Sequence, residues 1–405
     1  MDLFLPATIL LPQVHDLERW SVIACDQFSA QPEYWRRVRE KVADAPSTLH
    51  MILPEAELGQ AGEEEKIAGI HAKMKEYLQE GLFAKYENCL IYVERTLMNG
   101  EIRKGIIGKI DLEQYEYMEG ALAPIRCTEK TVVERIPPRM KVRWNAELEL
   151  PHVLLLCDDK KKTLIEPIAA QKELLKQLYH FSLMEEGGEL AGWLVEGSVL
   201  KEFEEALRRY QEERKSSVVF AVGDGNHSLA TAKACYERLK KEHPKEDLSA
   251  HPARYAMVEL ENIHDETQVF EPIHRIVFDT EAMQLLEMLT IQCSAKEGYP
   301  IEWHVQGKKG TLYLDPSMGE LAVGILQKFL DEYLNHHKGR LEYIHGDYEL
   351  KLLADQRNAI GFILPAMEKK QLFKGIEKDG VLPRKTFSMG KAQEKRYYLE
   401  CRQIQ

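Results

Sequence analysis

The stretch that most restricts the fold is residues 218–233, VVFAVGDGNHSLATAK. Its first five residues are apolar and valine-rich, which reads as a short buried strand. They run directly into Gly223-Asp224-Gly225, where two glycines permit positive φ and close backbone approach. A helix is expected to open near Asn226 and to continue over residues 229–241, with a basic C-terminal end that suits its dipole. Unpaired amides at such a helix start favour an anion, so phosphate or carboxylate is expected where the amides of residues 225–228 converge. Asp224 and His227 add a metal-binding or proton-transfer group at the same turn. The same residues also read as an ordinary strand-to-helix turn in which Asp224, Asn226 or Ser228 caps the helix.

Elsewhere strands and helices alternate. Residues 60–82 place Ile67, Ile70, Met74, Tyr77 and Leu78 at helical spacing. Residues 89–94 and 105–111 read as strands joined through Met98-Asn99-Gly100, a hairpin turn pair. Residues 152–157 (HVLLLC) form another strand, and Ser198 is an expected N-cap for a helix carrying Phe203, Leu207 and Tyr210 on one face. A second hairpin is expected across Gln306–Gly310, then a helix over 321–334, a strand over 359–364 and a helix from Met367. This pattern predicts a mixed α/β (α+β) fold with a strand–turn–helix core and added hairpins.

A chain of 405 residues predicts two or three domains. The best break points, 123–138 and 240–252, give an N-terminal domain over 1–120, a central one with the GDGNHS turn over 121–280, and a C-terminal one over 281–405. The net charge of −12 argues against non-specific nucleic-acid binding and against anionic membranes. No window approaches a membrane span, and residues 1–11 make a poor signal peptide, so a cytoplasmic protein is expected. The seven cysteines contain no C-x-x-C pair, and reduced thiols are expected. His336-His337 has no metal-ligand spacing. Walker, Rossmann, G-x-S-x-G and H-E-x-x-H patterns are all missing.

The turn sequence G-D-G-N-H-S-L-A-T-A resembles the A-D-G-H-H-R-Y-E-T-A segment of the bacterial family catalogued as domain of unknown function 1015. Five more motifs are similar in the same order: WSVIACDQFSAQPEY from Trp20, GIIGKIDLEQY from Gly105, IRCTEKT from Ile125, VFEPIHRI from Val269 and LPRKT from Leu382. The resemblance covers nearly the whole chain. It departs where the family often has histidine and this chain has Cys127 or Thr128, and where the family has arginine and this chain has Ser228. Glu129, Asp224, Gly225, His227, His274 and Arg275 match position by position. The D-G-x-H element also resembles the ParB and sulfiredoxin group, which includes nucleotide hydrolases and a free-serine kinase. The family's genes commonly lie beside those of two serine-biosynthesis enzymes.

What the resemblance implies is phosphoryl transfer on free serine or phosphoserine, a phosphorylated small molecule being the partner. In that reading Glu129 and His227 are the catalytic acid–base candidates. Gly225, Asn226, Ser228, Arg139, His274, Arg275 and Lys385 surround the phosphate, and Asp224 holds magnesium. ADP or ATP is the expected second substrate. Glu129, His227 and Arg275 are expected to share one cleft, locally positive despite the net charge. Each residue also has a plainer reading. Glu129 can pair with Lys130 or Arg126, His227 can be a partly buried helix-start histidine, and His274-Arg275 suits a strand edge. An alternative function is nucleotide sensing without turnover, and a third is a binding partner of serine-pathway enzymes. Oligomeric state is not legible.

Overall fold

A computed structural model describes residues 3–405. The fold is mixed α/β, as the alternating pattern predicts. The chain divides into two compact units, one made of residues 1–127, 131–268 and 391–405, the other of 128–130 and 269–390.

The first unit is built on an eleven-stranded mixed sheet. Along its main path run Tyr115–Glu116, Ile125–Cys127, Phe220–Asp224, Leu154–Cys157, Tyr255–Asn262, Ile102–Asp111, Phe83–Thr96, Glu189–Val195 and Lys176–Ser182. Phe220–Asp224 is parallel to Ile125–Cys127 and antiparallel to Leu154–Cys157. The apolar run CLIYV has no polar alternation because both faces of the sheet are covered. Ile91 and Val93 enter a core with Trp20, Trp35 and Tyr397, while Leu90 and Tyr92 enter another with Phe203, Leu207 and Phe220. The expected hairpin is present, with Thr96 opposite Ile102. The helix expected over 60–82 spans Glu63–Gln79. Ser198 is not the N-cap: Gly197, at φ +61°, turns the chain into the helix Gly197–Glu213, so Ser198 already lies in its first turn.

The second unit is an antiparallel six-stranded sheet. Phe270–Phe278 lies between Arg340–His345 and Ile360–Ile363, and Ser294–Val305 pairs with Lys308–Leu314. The turn of that hairpin is shorter than the sequence suggests. Only Gln306 and Gly307, both at positive φ, form it, and Gly310 is a strand residue packed so closely on Trp303 that a Cβ would sit 2.7 Å from the indole. The last helix starts at Lys369 rather than Met367, behind a Glu368 capping box.

Residues 391–405 bind back into the first unit through buried ion pairs. Arg396 reaches Glu259 at 2.9 Å and also pairs with Glu400, and Arg402 reaches Glu149 at 2.6 Å. The Trp20 indole donates to the Leu399 carbonyl at 3.1 Å, and Leu10 exchanges two backbone bonds with Cys401. Replacing Arg396 with alanine leaves two buried carboxylates without their cation. It should cost about 3–5 kcal/mol, measured by urea unfolding, and a loss under about 1 kcal/mol would show the pairs to be solvent-compensated.

Glu261 is fully buried beside Arg103, at 3.1 Å. Burial pushes its carboxyl up to about 7, with repulsion from Glu259 adding to the rise and Arg103 opposing it. The folded state therefore holds a proton that the unfolded chain releases in the ordinary carboxylate range. Stability should fall as pH rises from there through about 7. Glu261→Gln should flatten that segment of a stability-against-pH curve, and an unchanged slope would assign it to another group.

Candidate active site

The strand Phe220–Asp224 delivers the chain to Gly225, whose φ of +78° breaks the strand and admits the helix Asn226–Glu242 one residue later. A Cβ on Gly225 would lie 3.0 Å from the Val153 Cα, so the close approach and the left-handed backbone both demand glycine. The N-cap residue is Gly225 itself, which has no side chain to cap the helix. Asp224 instead accepts the Gly225 amide at 2.9 Å, so of the amides expected to face an anion, that of Gly225 is turned to its own neighbour's carboxylate. The Ser228 hydroxyl meets the Nε2 of His152 at 3.2 Å.

Around this turn the first unit gathers a polar cluster from widely separated segments. His152 is buried at the head of the strand Leu154–Cys157. Its Nδ1 lies 3.0 Å from the Tyr398 hydroxyl and its Nε2 3.9 Å from an oxygen of Asp26. Lys395 approaches the second oxygen of Asp224 at 3.4 Å. Tyr398 also touches Cys25, accepting its amide and approaching its sulfur, each at 3.2 Å. Arg139 is ion-paired to Glu55 at 2.6 Å, and the Glu55 amide donates to the Cys25 carbonyl.

The two carboxylates are pushed in opposite directions. Burial raises Asp26 above the usual range, and the negative charges of Asp224 and Glu55 add to this against the attraction of His152. Burial also opposes the charged form of Asp224, but Lys395, His152 and the Gly225 amide outweigh it and hold the group below its usual range. A pair so separated has the character acid–base chemistry uses, one group with a raised proton affinity and the other held in its charged form. Cys25 is pushed up to about 12, first by burial and then by Asp26, so it is a packed thiol and not a thiolate nucleophile.

Of the ten residues expected at the site, six fall in the first unit (Asp224, Gly225, Asn226, His227, Ser228 and Arg139) and four in the second (Glu129, His274, Arg275 and Lys385). His227 accepts the Val132 amide on its Nε2 at 3.2 Å. In the second unit, Arg275 is fully buried and donates to Gln327 and to the carbonyls of Ile273, Arg384 and Lys385. It thereby fixes the LPRKT loop, where Lys385 sits at φ +59°. Glu129 accepts the Thr386 amide at 3.2 Å, and His274 bridges Asp347 and the Leu364 amide. Sequence reasoning missed Asp26, His152, Lys395 and Tyr398. Asp26 lies inside the WSVIACDQFSAQPEY motif and could have been chosen, whereas Lys395 and Tyr398 carry no local signal.

A resident magnesium does not fit at Asp224. One oxygen accepts the Gly225 amide and the other faces the Lys395 ammonium, and no group of three or more suitable ligands occurs among the described residues. Replacing Gly225 with valine should destabilise the first unit by about 1–3 kcal/mol; equal melting of variant and parent would mean that the turn relaxes without strain.

A model of the family described as "Protein of unknown function (DUF1015)" matches residues 6–401. Comparison with curated proteins gave no match. Among solved structures, the chain is similar to a free serine kinase (E30A mutant) in complex with AMP, at 10% identity and a TM-score of 0.39 over 70% of this chain and 96% of that one. It is also similar to C-terminally truncated SbnI from Staphylococcus aureus, at 12% identity and a TM-score of 0.36 over 70% and 83%. A conserved hypothetical protein from Pyrococcus furiosus gives 11%, 0.34, and 71% and 93%. No helix among the described residues is long and apolar enough to cross a membrane.

Proposed function

The chain belongs to the DUF1015 family, and we propose that it is a small-molecule phosphoryl-transfer enzyme working at the cluster around Asp224 and His152. The observation that carries this reading is the opposed pair, Asp26 raised and Asp224 lowered, both under the influence of the buried His152, beside the start of the helix Asn226–Glu242 where His152 meets Ser228. Phosphoryl transfer needs a cationic place for the phosphate and a base for the attacking hydroxyl. The positive end of the helix Asn226–Glu242 and the Lys395 ammonium supply the first. Asp26, with a raised proton affinity and a third of its side chain exposed, supplies the second; His152 lies between it and Ser228. Asp224 stays charged and keeps Lys395 and His152 in place.

Free serine or phosphoserine is the substrate we infer from the sequence resemblance, with ADP or ATP as phosphate partner and magnesium entering as its counter-ion. The net charge of −12 favours a small phosphorylated ligand over nucleic acid. Glu129 and His227 remain proposals for acid–base roles, and substitution of each belongs in the same assay.

Purified protein is incubated with phosphoserine, with and without magnesium and ADP, while phosphate, serine and ATP are followed. Turnover is expected, with a loss of about 100-fold or more in Asp26→Asn at unchanged melting temperature, and a loss also in Asp224→Asn. With Asp26 as base, the rate should rise as pH climbs through its raised pKa, so the acidic limb lies above the ordinary aspartate range and disappears in Asp26→Asn. Nucleotide binding without turnover would replace the enzyme with a sensor, and an unchanged acidic limb would remove Asp26 from the mechanism.

A further inference from the structure

The first unit also carries an open cleft of about 410 Å³, walled on one side by the loop after the strand Leu154–Cys157 and on the other by the end of the helix Gly197–Glu213. Lys160, Lys161, Arg209, Arg214 and Lys215 line it, an unusual concentration of cations in a chain of net charge −12. Its three acids are already engaged. Asp159 accepts the amides of Thr163 and Leu164, Asp158 binds His264 at 2.6 Å and faces Arg214, and Glu213 pairs with Lys161 at 2.6 Å. Lys160, Arg209 and Lys215 have no acidic partner within ion-pair distance among the described residues. Their charges therefore add over one concave surface instead of being neutralised in pairs. Tyr210 is part of the lining, its ring stacked on Phe220 with the Arg214 guanidinium 5.5 Å from the ring centroid, and its hydroxyl bonded to the Asp158 amide and the Val219 carbonyl.

The place of this cleft is fixed by the sheet. In the antiparallel pair of Leu154–Cys157 and Phe220–Asp224, Asp224 stands opposite Leu154 and Phe220 opposite Cys157. The cluster around His152 and Asp224 is at one end of these two strands and the cationic cleft at the other. Three extended residue steps, roughly 10 Å, separate the ends.

We propose that this cleft is a second ligand site, separate from the cluster around Asp224, for a small polyanion bearing at least two negative charges such as a phosphorylated metabolite. Recognition is by charge: the ammonium groups of Lys160 and Lys215 and the Arg209 guanidinium meet the anion's oxygens, a geometry arginine serves bidentately. The proposal does not rest on the chemistry assigned to the first site, and none of these residues belongs to it.

Pyrophosphate is the probe, titrated calorimetrically into the full-length protein at fixed ionic strength. Binding is expected, weakening as salt is raised. The double variant Arg209→Glu/Lys215→Glu should weaken that binding at least about ten-fold, whereas Lys395→Ala should leave it in place. Both cleft residues are exposed, so the variant should melt like its parent, and Arg209→Gln/Lys215→Gln serves if the reversal impairs folding. Equal pyrophosphate affinity in parent and cleft variant overturns the proposal, as does loss of all binding in Lys395→Ala with the cleft intact. Neither outcome depends on whether phosphoserine is turned over.

Discussion

The buried guanidinium of Arg396, held between Glu259 of a central strand and Glu400 of its own segment, is the contact on which the first unit depends. Charges this deep are not a cheap source of stability, since desolvation offsets much of their attraction. What they supply is position. Once Arg396 is docked, its neighbours are fixed on either side: Lys395 beside Asp224, and Tyr398 beside Cys25 and His152. Segments more than three hundred residues apart are joined to the same strands without a covalent link. All seven cysteines are free, six of them buried, so cross-links have no part in this.

From that anchorage the cluster's chemistry follows by proximity. Asp26 and Asp224 are near enough to repel, so they cannot both hold ordinary proton affinities. Lys395 decides which one stays charged, because it faces Asp224 and not Asp26. His152 then has two neighbours of different character on its Nε2 side, a carboxylate at 3.9 Å and a serine hydroxyl at 3.2 Å, while Tyr398 orients the other nitrogen. The serine stands where the family resemblance leads one to expect arginine. A hydroxyl there brings no charge, and the local cation is Lys395 from the far end of the chain.

Local pattern revealed the parts of this molecule that local physics determines. The strand Phe220–Asp224, the glycine turn and the helix behind it are read directly from apolar run, φ requirement and amphipathic spacing, and Gly225 has the conformation its sequence context demands. The hairpin at Asn99-Gly100 is of the same kind. What escaped is what non-local packing determines. Nothing near Lys395 or Tyr398 announces that residues 391–405 return to the first unit, because the docking rests on single charges and a single indole supplied from elsewhere. His274 and Arg275 are singled out by the family resemblance of the VFEPIHRI motif. In the structure His274 meets Asp347, and Arg275 meets Gln327 and the carbonyls of Arg384 and Lys385, partners that lie more than fifty residues away in sequence.

Net charge alone says little about where an anion goes on such a chain. A surplus of twelve acids lowers the potential everywhere at long range, but within a Debye length of about 10 Å it is pairing that matters. At the Asp224 turn the lysine is matched by one carboxylate, so an incoming phosphate competes with Asp224 for Lys395 and gains from the helix end as well. In the cleft beyond Cys157 three cations face a common volume unmatched, and an anion there displaces no existing ion pair. The difference lies in pairing: at the turn an anion must displace a carboxylate from its lysine, and in the cleft it meets cations that have no such partner.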